Sequence, residues 1–311
     1  SREIWILTLV TFINRAGTMV LPFLSKYLKE DLHFSYSQVG WIMVSFGFGS
    51  MLGSWLGGKL SDKIGFYRIM VFSLFVSGLA FFGLQYITSF EGLCIGIFSL
   101  MTIADMFRPA MFVSIAAYAK PENRTRALTL VRLAINLGFG AGPALGGLII
   151  MKIGYQGLFW ADGATCIAAI LVFVLLVKEK KKSKYIDKKD PDHVLTASVF
   201  KDKPFWIFLA SCVIIGILFF QLFTTIPLYH KEQFNLSEFQ TGLLLTLNGV
   251  LVFFLEMPIV SYIERKKLNK VKVVTFGCLL MTISIFLLLI NIWAGILIIM
   301  MLFMTFAEMF A

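Results

Sequence analysis

Five charged side chains stand inside otherwise apolar runs of this 311-residue chain: Arg15, Asp105, Arg108, Glu256 and Glu308. A charge in hydrocarbon is costly, so each needs a partner or a water-filled cavity, and each marks a place where chemistry with ions or protons can occur. Asp105 and Arg108 are three residues apart, which on a helix puts them on one face, where they could neutralise each other. Asp105 lies about 14 residues past Glu91, about 21 Å of helix and so near mid-membrane. Glu256 and Glu308 have no basic residue within one helical turn. A carboxyl left unpaired in low dielectric suits a proton carrier or an acceptor for a cationic substrate. His33, His193 and His230 all fall in segments read as loops, which leaves proton work to the carboxylates. Asp162, one to two turns into its run, is read as a hydrogen-bonded structural acid, and Arg132 as a side chain long enough to snorkel to a membrane edge.

The elements that must position these groups are membrane helices. Hydrophobic residues make up 58% of the chain and charged residues 15%, which excludes a soluble globule. Ten apolar runs are long enough to span hydrocarbon: roughly 4–28, 37–58, 69–88, 92–118, 127–151, 156–177, 204–229, 239–262, 271–290 and 292–311. The net charge of +10 points to no nucleic acid, because Lys and Arg are concentrated in alternate loops. Arg2, Lys59, Lys63, Arg68, Lys120, Arg124, Arg126, the 178–203 segment and the Arg265–Lys272 group lie on one side, which the positive-inside rule makes cytoplasmic. Cys94, Cys166, Cys212 and Cys278 are scattered and indicate neither a disulfide framework nor a zinc site.

Two stretches carry a family resemblance. Gly57-Gly58-Lys59-Leu60-Ser61-Asp62-Lys63-Ile64-Gly65-Phe66-Tyr67-Arg68 reads as a charged hairpin between the second and third runs. Its G-x-L-S-D-x-x-G-x-x-R spacing resembles the corresponding loop of the major facilitator superfamily. Gly138, Gly142, Pro143, Gly146 and Gly147 in the fifth run form G-x-x-x-G-P-x-x-G-G, similar to the signature of drug/proton antiporters in that superfamily. Physically, glycines four apart make a flat face for close packing, and Pro143 removes a backbone hydrogen bond and is expected to bend the helix. Gly49, Gly53 and Gly57 make a similar face. Phe107-Arg108-Pro109, Asn136-Leu137-Gly138 and Ala307-Glu308 resemble positions of proton-coupled oligopeptide symporters, whereas Thr11, Asn14 and Arg15 keep only the arginine of that family's E-x-x-E-R.

An internal repeat supports a two-part organisation. Tyr27, Lys29, Glu30, Ser35, Gln38 and Gly40 recur as Tyr229, Lys231, Glu232, Ser237, Gln240 and Gly242, at a constant spacing of 202 residues. Asp62-Lys63 recurs as Glu264-Arg265 at the same spacing, and Thr102, Asp105 and Phe107 recur as Thr305, Glu308 and Phe310 one residue later. Parallel repeats of this kind place a substrate site at their interface.

The resemblance implies an all-α integral membrane protein of the major facilitator fold, with two six-helix bundles expected and about ten helices in this sequence. The expected division is an N-terminal bundle at 1–177, a basic linker at 178–203 and an incomplete C-terminal bundle at 204–311. It further implies a secondary transporter of the inner (plasma) membrane, with no enzymatic activity, cofactor or metal, expected to be monomeric. Proton-driven multidrug antiport is the first expectation and di/tripeptide symport the alternative. Expected proton-coupling residues are Glu256, Glu308 and Asp105. Expected substrate contacts are Arg15, Arg108 and Glu308, and expected gating positions are Gly58, Asp62, Gly65, Arg68, Gly138, Gly142, Pro143 and Gly146.

Overall fold

A computed structural model describes residues 1–179, 202–290 and 293–310, the side chain of Thr125 excepted. The expected linker at 178–203, with His193, lies almost wholly outside the described residues. Among the described residues the chain is helical without strands, and nine segments are long and apolar enough to cross a membrane. The helices are α1 (Arg2–Ala16), α2 (Val20–Lys26), α3 (Tyr36–Ile64), α4 (Phe66–Leu84), α5 (Phe90–Ala104), α6 (Phe107–Tyr118), α7 (Arg124–Ile153) and α8 (Gln156–Leu176). After the linker come α9 (Lys203–Phe220), α10 (Thr225–Phe234), α11 (Glu238–Arg265), α12 (Lys270–Leu287) and the shorter α13 (Ile296–Phe310). The loops rich in Lys and Arg define a basic end of the bundle; the opposite end is called the far end below.

Three runs read as single spans are broken mid-way, and two of the breaks have a visible local cause. Between α1 and α2 the chain turns at Gly17–Met19, and the buried Asp162 of α8 accepts hydrogen bonds from the backbone N–H of Met19 at 2.9 Å and Val20 at 3.0 Å. A carboxylate at a helix N-terminus satisfies donors that have no intrahelical partner. The structural role expected of Asp162 is thus observed, as a cap. Between α5 and α6, Pro109 has no N–H for the Asp105 carbonyl one turn back, and at the end of α5 the hydroxyl of Ser73 donates to the carbonyls of Ile103 at 2.7 Å and Ala104 at 3.0 Å. The third break, at 221–224 between α9 and α10, lies within about three residues of the repeat position of the first.

The repeat extends to backbone detail. Ser35 and Ser237 each begin a helix with a capping box closed by Gln38 and Gln240. His33 and Asn235, two residues before those caps, both take left-handed backbone angles, with φ of 56° and 50°. The charged hairpin expected at 57–68 takes another form. α3 continues to Ile64 and α4 begins at Phe66, so the turn is the single residue Gly65 at φ 97°, and Lys59, Asp62 and Lys63 ride on the last turns of α3.

Before the linker the core is well filled. Leu7, Val10, Met70, Met111 and Phe173 form one cluster and Phe23, Leu28, Ile42, Ile97 and Phe159 another. After it, Leu222, Ile226, Met281, Met300, Met301 and Met304 form a smaller cluster, while α9 buries no residue.

Candidate functional site

Between the two halves lies a cavity of about 360 Å³. From the first half it is lined by Asn14, Arg15, Ser50, Asp105, Arg108, Asn136 and Phe139; from the second by Phe219, Phe220, Phe223, Asn248 and Glu308. Four of the five intramembrane charges read from the sequence therefore meet here. Glu256 does not line the cavity.

Each charge is held differently. Asp105 caps the end of α5 at the helix break and accepts a hydrogen bond from the Ser50 hydroxyl of α3. Glu308 on α13, its counterpart in the repeat, is half-buried and accepts from Asn248 Nδ2 of α11 at 3.1 Å; Asn248 also donates to Thr305 at 3.0 Å. Both repeat carboxyls are thus bonded by the equivalent helix, through neutral donors. The Arg15 guanidinium stands 5.6 Å from the centre of the Phe139 ring, and its Nε is buried without a protein hydrogen-bond partner. Phe139, Phe219, Phe220 and Phe223 form a continuous aromatic wall, Phe139 lying 6.3 Å and Phe219 5.7 Å from Phe223 between ring centroids.

Several sequence expectations are corrected by this arrangement. Asp105 and Arg108 form no ion pair among the described residues, because the break at Asp105–Met106 puts them on different helices and the three-residue rule fails. Glu256 is not unpaired. Arg132 of α7 reaches across to it in an ion pair, and Asn136 of α7 donates to its other oxygen at 2.7 Å. Arg132 consequently ties one half to the other while its side chain stays largely exposed. His230 is in no loop: it lies inside α10, fully buried, with both ring nitrogens lacking a protein partner. Lys26 of α2 is equally buried.

The glycines of α7 serve two surfaces. A Cβ added at Gly138 would come within 2.6 Å of Arg15 Cβ, and one at Gly142 within 3.1 Å of the Ala16 carbonyl, so the expected face packs on α1. Gly140 and Gly147 point the other way, onto α11 of the second half. There a Cβ added at Gly249 would meet Gly140 Cα at 2.3 Å, and one at Gly242 the Pro143 carbonyl at 2.3 Å. The α7–α11 seam is thus backbone against backbone from the far end to mid-membrane. Among the expected gating positions, Gly58 has no neighbour where a Cβ would stand, and Arg68 pairs with Glu179 at 3.3 Å on the exposed surface.

The profile of the Major Facilitator Superfamily matches residues 5–311. The chain belongs to this superfamily. It is 27% identical over 183 residues to the uncharacterized MFS-type transporter YceJ of Bacillus subtilis (strain 168), covering 58% of this chain and 45% of the relative. It is 26% identical over 256 residues to the quinolone resistance protein NorA of Staphylococcus aureus (strain N315), covering 80% of this chain and 64% of the relative. The chain therefore spans less than two thirds of the length of these relatives. The crystal structure of a POT family transporter in complex with a thioalcohol-conjugated peptide superposes with a TM-score of 0.77 at 15% identity, over 99% of this chain and 82% of that one, which establishes the fold. With nine membrane-length helices among the described residues, the protein is a multi-pass membrane protein.

Proposed function

We propose that the protein is a proton-driven antiporter that exports amphipathic organic compounds from the cytoplasm across the plasma membrane by alternating access. The observation that carries this reading is the pairing, in one cavity between the halves, of a four-phenylalanine wall with a carboxyl, Glu308, held by the neutral Asn248. An aromatic wall binds varied apolar shapes, and an intramembrane carboxyl with no cationic contact takes either a proton or a cationic group. Those two occupants exclude each other, which is the condition for exchange. The relative named for quinolone resistance supports the same direction. Asp105, bonded by Ser50, is the second proton acceptor in this scheme. Glu256 contributes through Arg132, since neutralising it would release the arginine that joins α7 to α11. Arg15 and Arg108 balance the cavity carboxyls, and the turn at Gly65 with Arg68 governs the cytoplasmic end. The bundles are 1–177 and 204–311 with 178–203 as linker, and the working unit is a monomer.

A second reading, di/tripeptide symport, rests on one specific feature: the unpartnered Nε of Arg15 and the Glu308 carboxyl line one cavity from opposite halves and could take a carboxylate and an amine. Liposomes containing the complete protein, with an imposed pH gradient, a mixed dipeptide and a lipophilic cationic dye followed in parallel, separate the two. Dye movement against the proton flux establishes the antiporter. Peptide accumulation on the alkaline side establishes the symporter and withdraws the export reading.

A further inference from the structure

At the far end, the two halves meet through a charged contact that the cavity scheme does not use. Lys26, with no exposed surface, places Nζ 3.1 Å from Glu238 Oε1, whose side chain retains 18% exposure. Lys26 belongs to α2 of the first half and Glu238 to the first turn of α11 in the second. Next to it the Ser25 hydroxyl donates to the Thr224 carbonyl at 2.7 Å, again between halves.

The surroundings give Lys26 no substitute. Glu30 accepts from the Tyr155 hydroxyl at 2.8 Å, Glu232 from Tyr36, and Asp31 is exposed. His230, buried nearby, contributes a ring and no negative charge. Glu238 is different: it stands at a helix N-terminus, where backbone N–H groups and the helix dipole favour a carboxylate, and it reaches water. The pair is also one-sided. At the repeat positions of Glu238 and Lys26 stand Tyr36 and Leu228, which carry no charge.

We infer that Lys26 and Glu238 form an asymmetric latch on the far-end gate, in which Glu238 licenses the burial of Lys26 and thereby sets how readily the far end closes. Opening the far end lets both groups hydrate separately; closing it strips water from Lys26 and requires the carboxylate. Removing one partner of a buried pair leaves an uncompensated charge, whereas removing both is tolerated. The two single variants therefore differ in their effect on the gate. Glu238→Gln leaves a buried ammonium alone and opens the gate. Lys26→Met leaves a carboxylate that is already solvated and capped, and the gate stays closed. The inference rests on the alternating-access part of the proposed function and not on its substrate.

The test is a distance measurement between spin labels at Asp31 and Gln233, exposed positions at the far end in opposite halves, in the complete protein with its native cysteines replaced. Glu238→Gln is expected to raise the ratio of long- to short-distance populations at least about tenfold. Lys26→Met is expected to leave the ratio unchanged or lower it, and the double variant to return to the Lys26→Met value. Thermal unfolding of each variant identifies one that does not fold, and Lys26→Arg, which keeps the charge, provides a folded control expected to match the parent. Opening by Lys26→Met, or a double variant as open as Glu238→Gln, would overturn the latch. A single distance unaffected by any variant or by substrate would instead count against alternating access at this end, and so against the proposed function.

Discussion

Asp162 shows how a buried acid in a membrane helix can be wholly structural. Both of its oxygens are taken by backbone donors of α2, so Asp162→Ala leaves two N–H groups unsatisfied in the core and is expected to lower stability by about 2 kcal/mol or more. Asp162→Asn, which keeps one acceptor, should cost less; thermal unfolding in detergent checks the order. Glu308 lines the same cavity but is bonded by one neutral side chain, that of Asn248, and by no backbone donor that the structure shows. Glu308→Gln is expected to abolish uphill, proton-driven transport while preserving substrate counterflow, and a variant that loses both would assign Glu308 to substrate binding alone. The sequence exposed these acids by their position in apolar runs but not by their partners. Arg132 and Asn136 are four apart on α7 and could have been read as one polar edge, yet nothing in the sequence says that this edge faces Glu256 over a hundred residues away.

At the scale of the helix, packing glycines and helix breaks behave differently as signals. The face formed by Gly138, Gly142 and Gly146 was legible from spacing alone, because four-residue periodicity is a local property. The second face, Gly140 and Gly147, was not, since it becomes a surface only against Gly249 and Gly242 of another helix. Gly249→Val is expected to force α7 and α11 apart and to reduce transport at least about tenfold, with a change at an exposed position such as Leu145→Val as the neutral comparison; initial transport rates check it. The breaks were missed because apolar run length does not register them, although Pro109 and Pro227 were both in view. The break at Asp105 matters most, because it separates Asp105 from Arg108 and frees the carboxyl for Ser50.

Across the whole molecule, the inter-half contacts described above are weighted toward the far end. Ser25–Thr224, Lys26–Glu238 and Tyr36–Glu232 lie there, and the glycine seam runs from there to the cavity, with Arg132–Glu256 beyond it. In the proposed alternating-access scheme this is the state closed at the far end. In a cysteine-free background, a cleavable bifunctional thiol crosslinker joining Asp31→Cys to Gln233→Cys, exposed far-end positions in opposite halves, is expected to stop transport, and cleaving it to restore transport. The two-half organisation was the most legible property of the chain, because duplication leaves matched caps and matched left-handed residues that composition alone would hide.

The double-sided character of α7 has a consequence for how such a chain can change over generations. A helix with one crowded face can accept a larger residue there if its single neighbour yields. α7 is crowded by α1 on one side and α11 on the other, so an enlargement on either side pushes it into the opposite neighbour, and compensation requires simultaneous change in two partners. Its glycines are therefore expected to drift little across relatives, while Leu137 and Leu145, exposed on the same helix, are freer to vary, and the aromatic wall is open to change where the axle beside it is not.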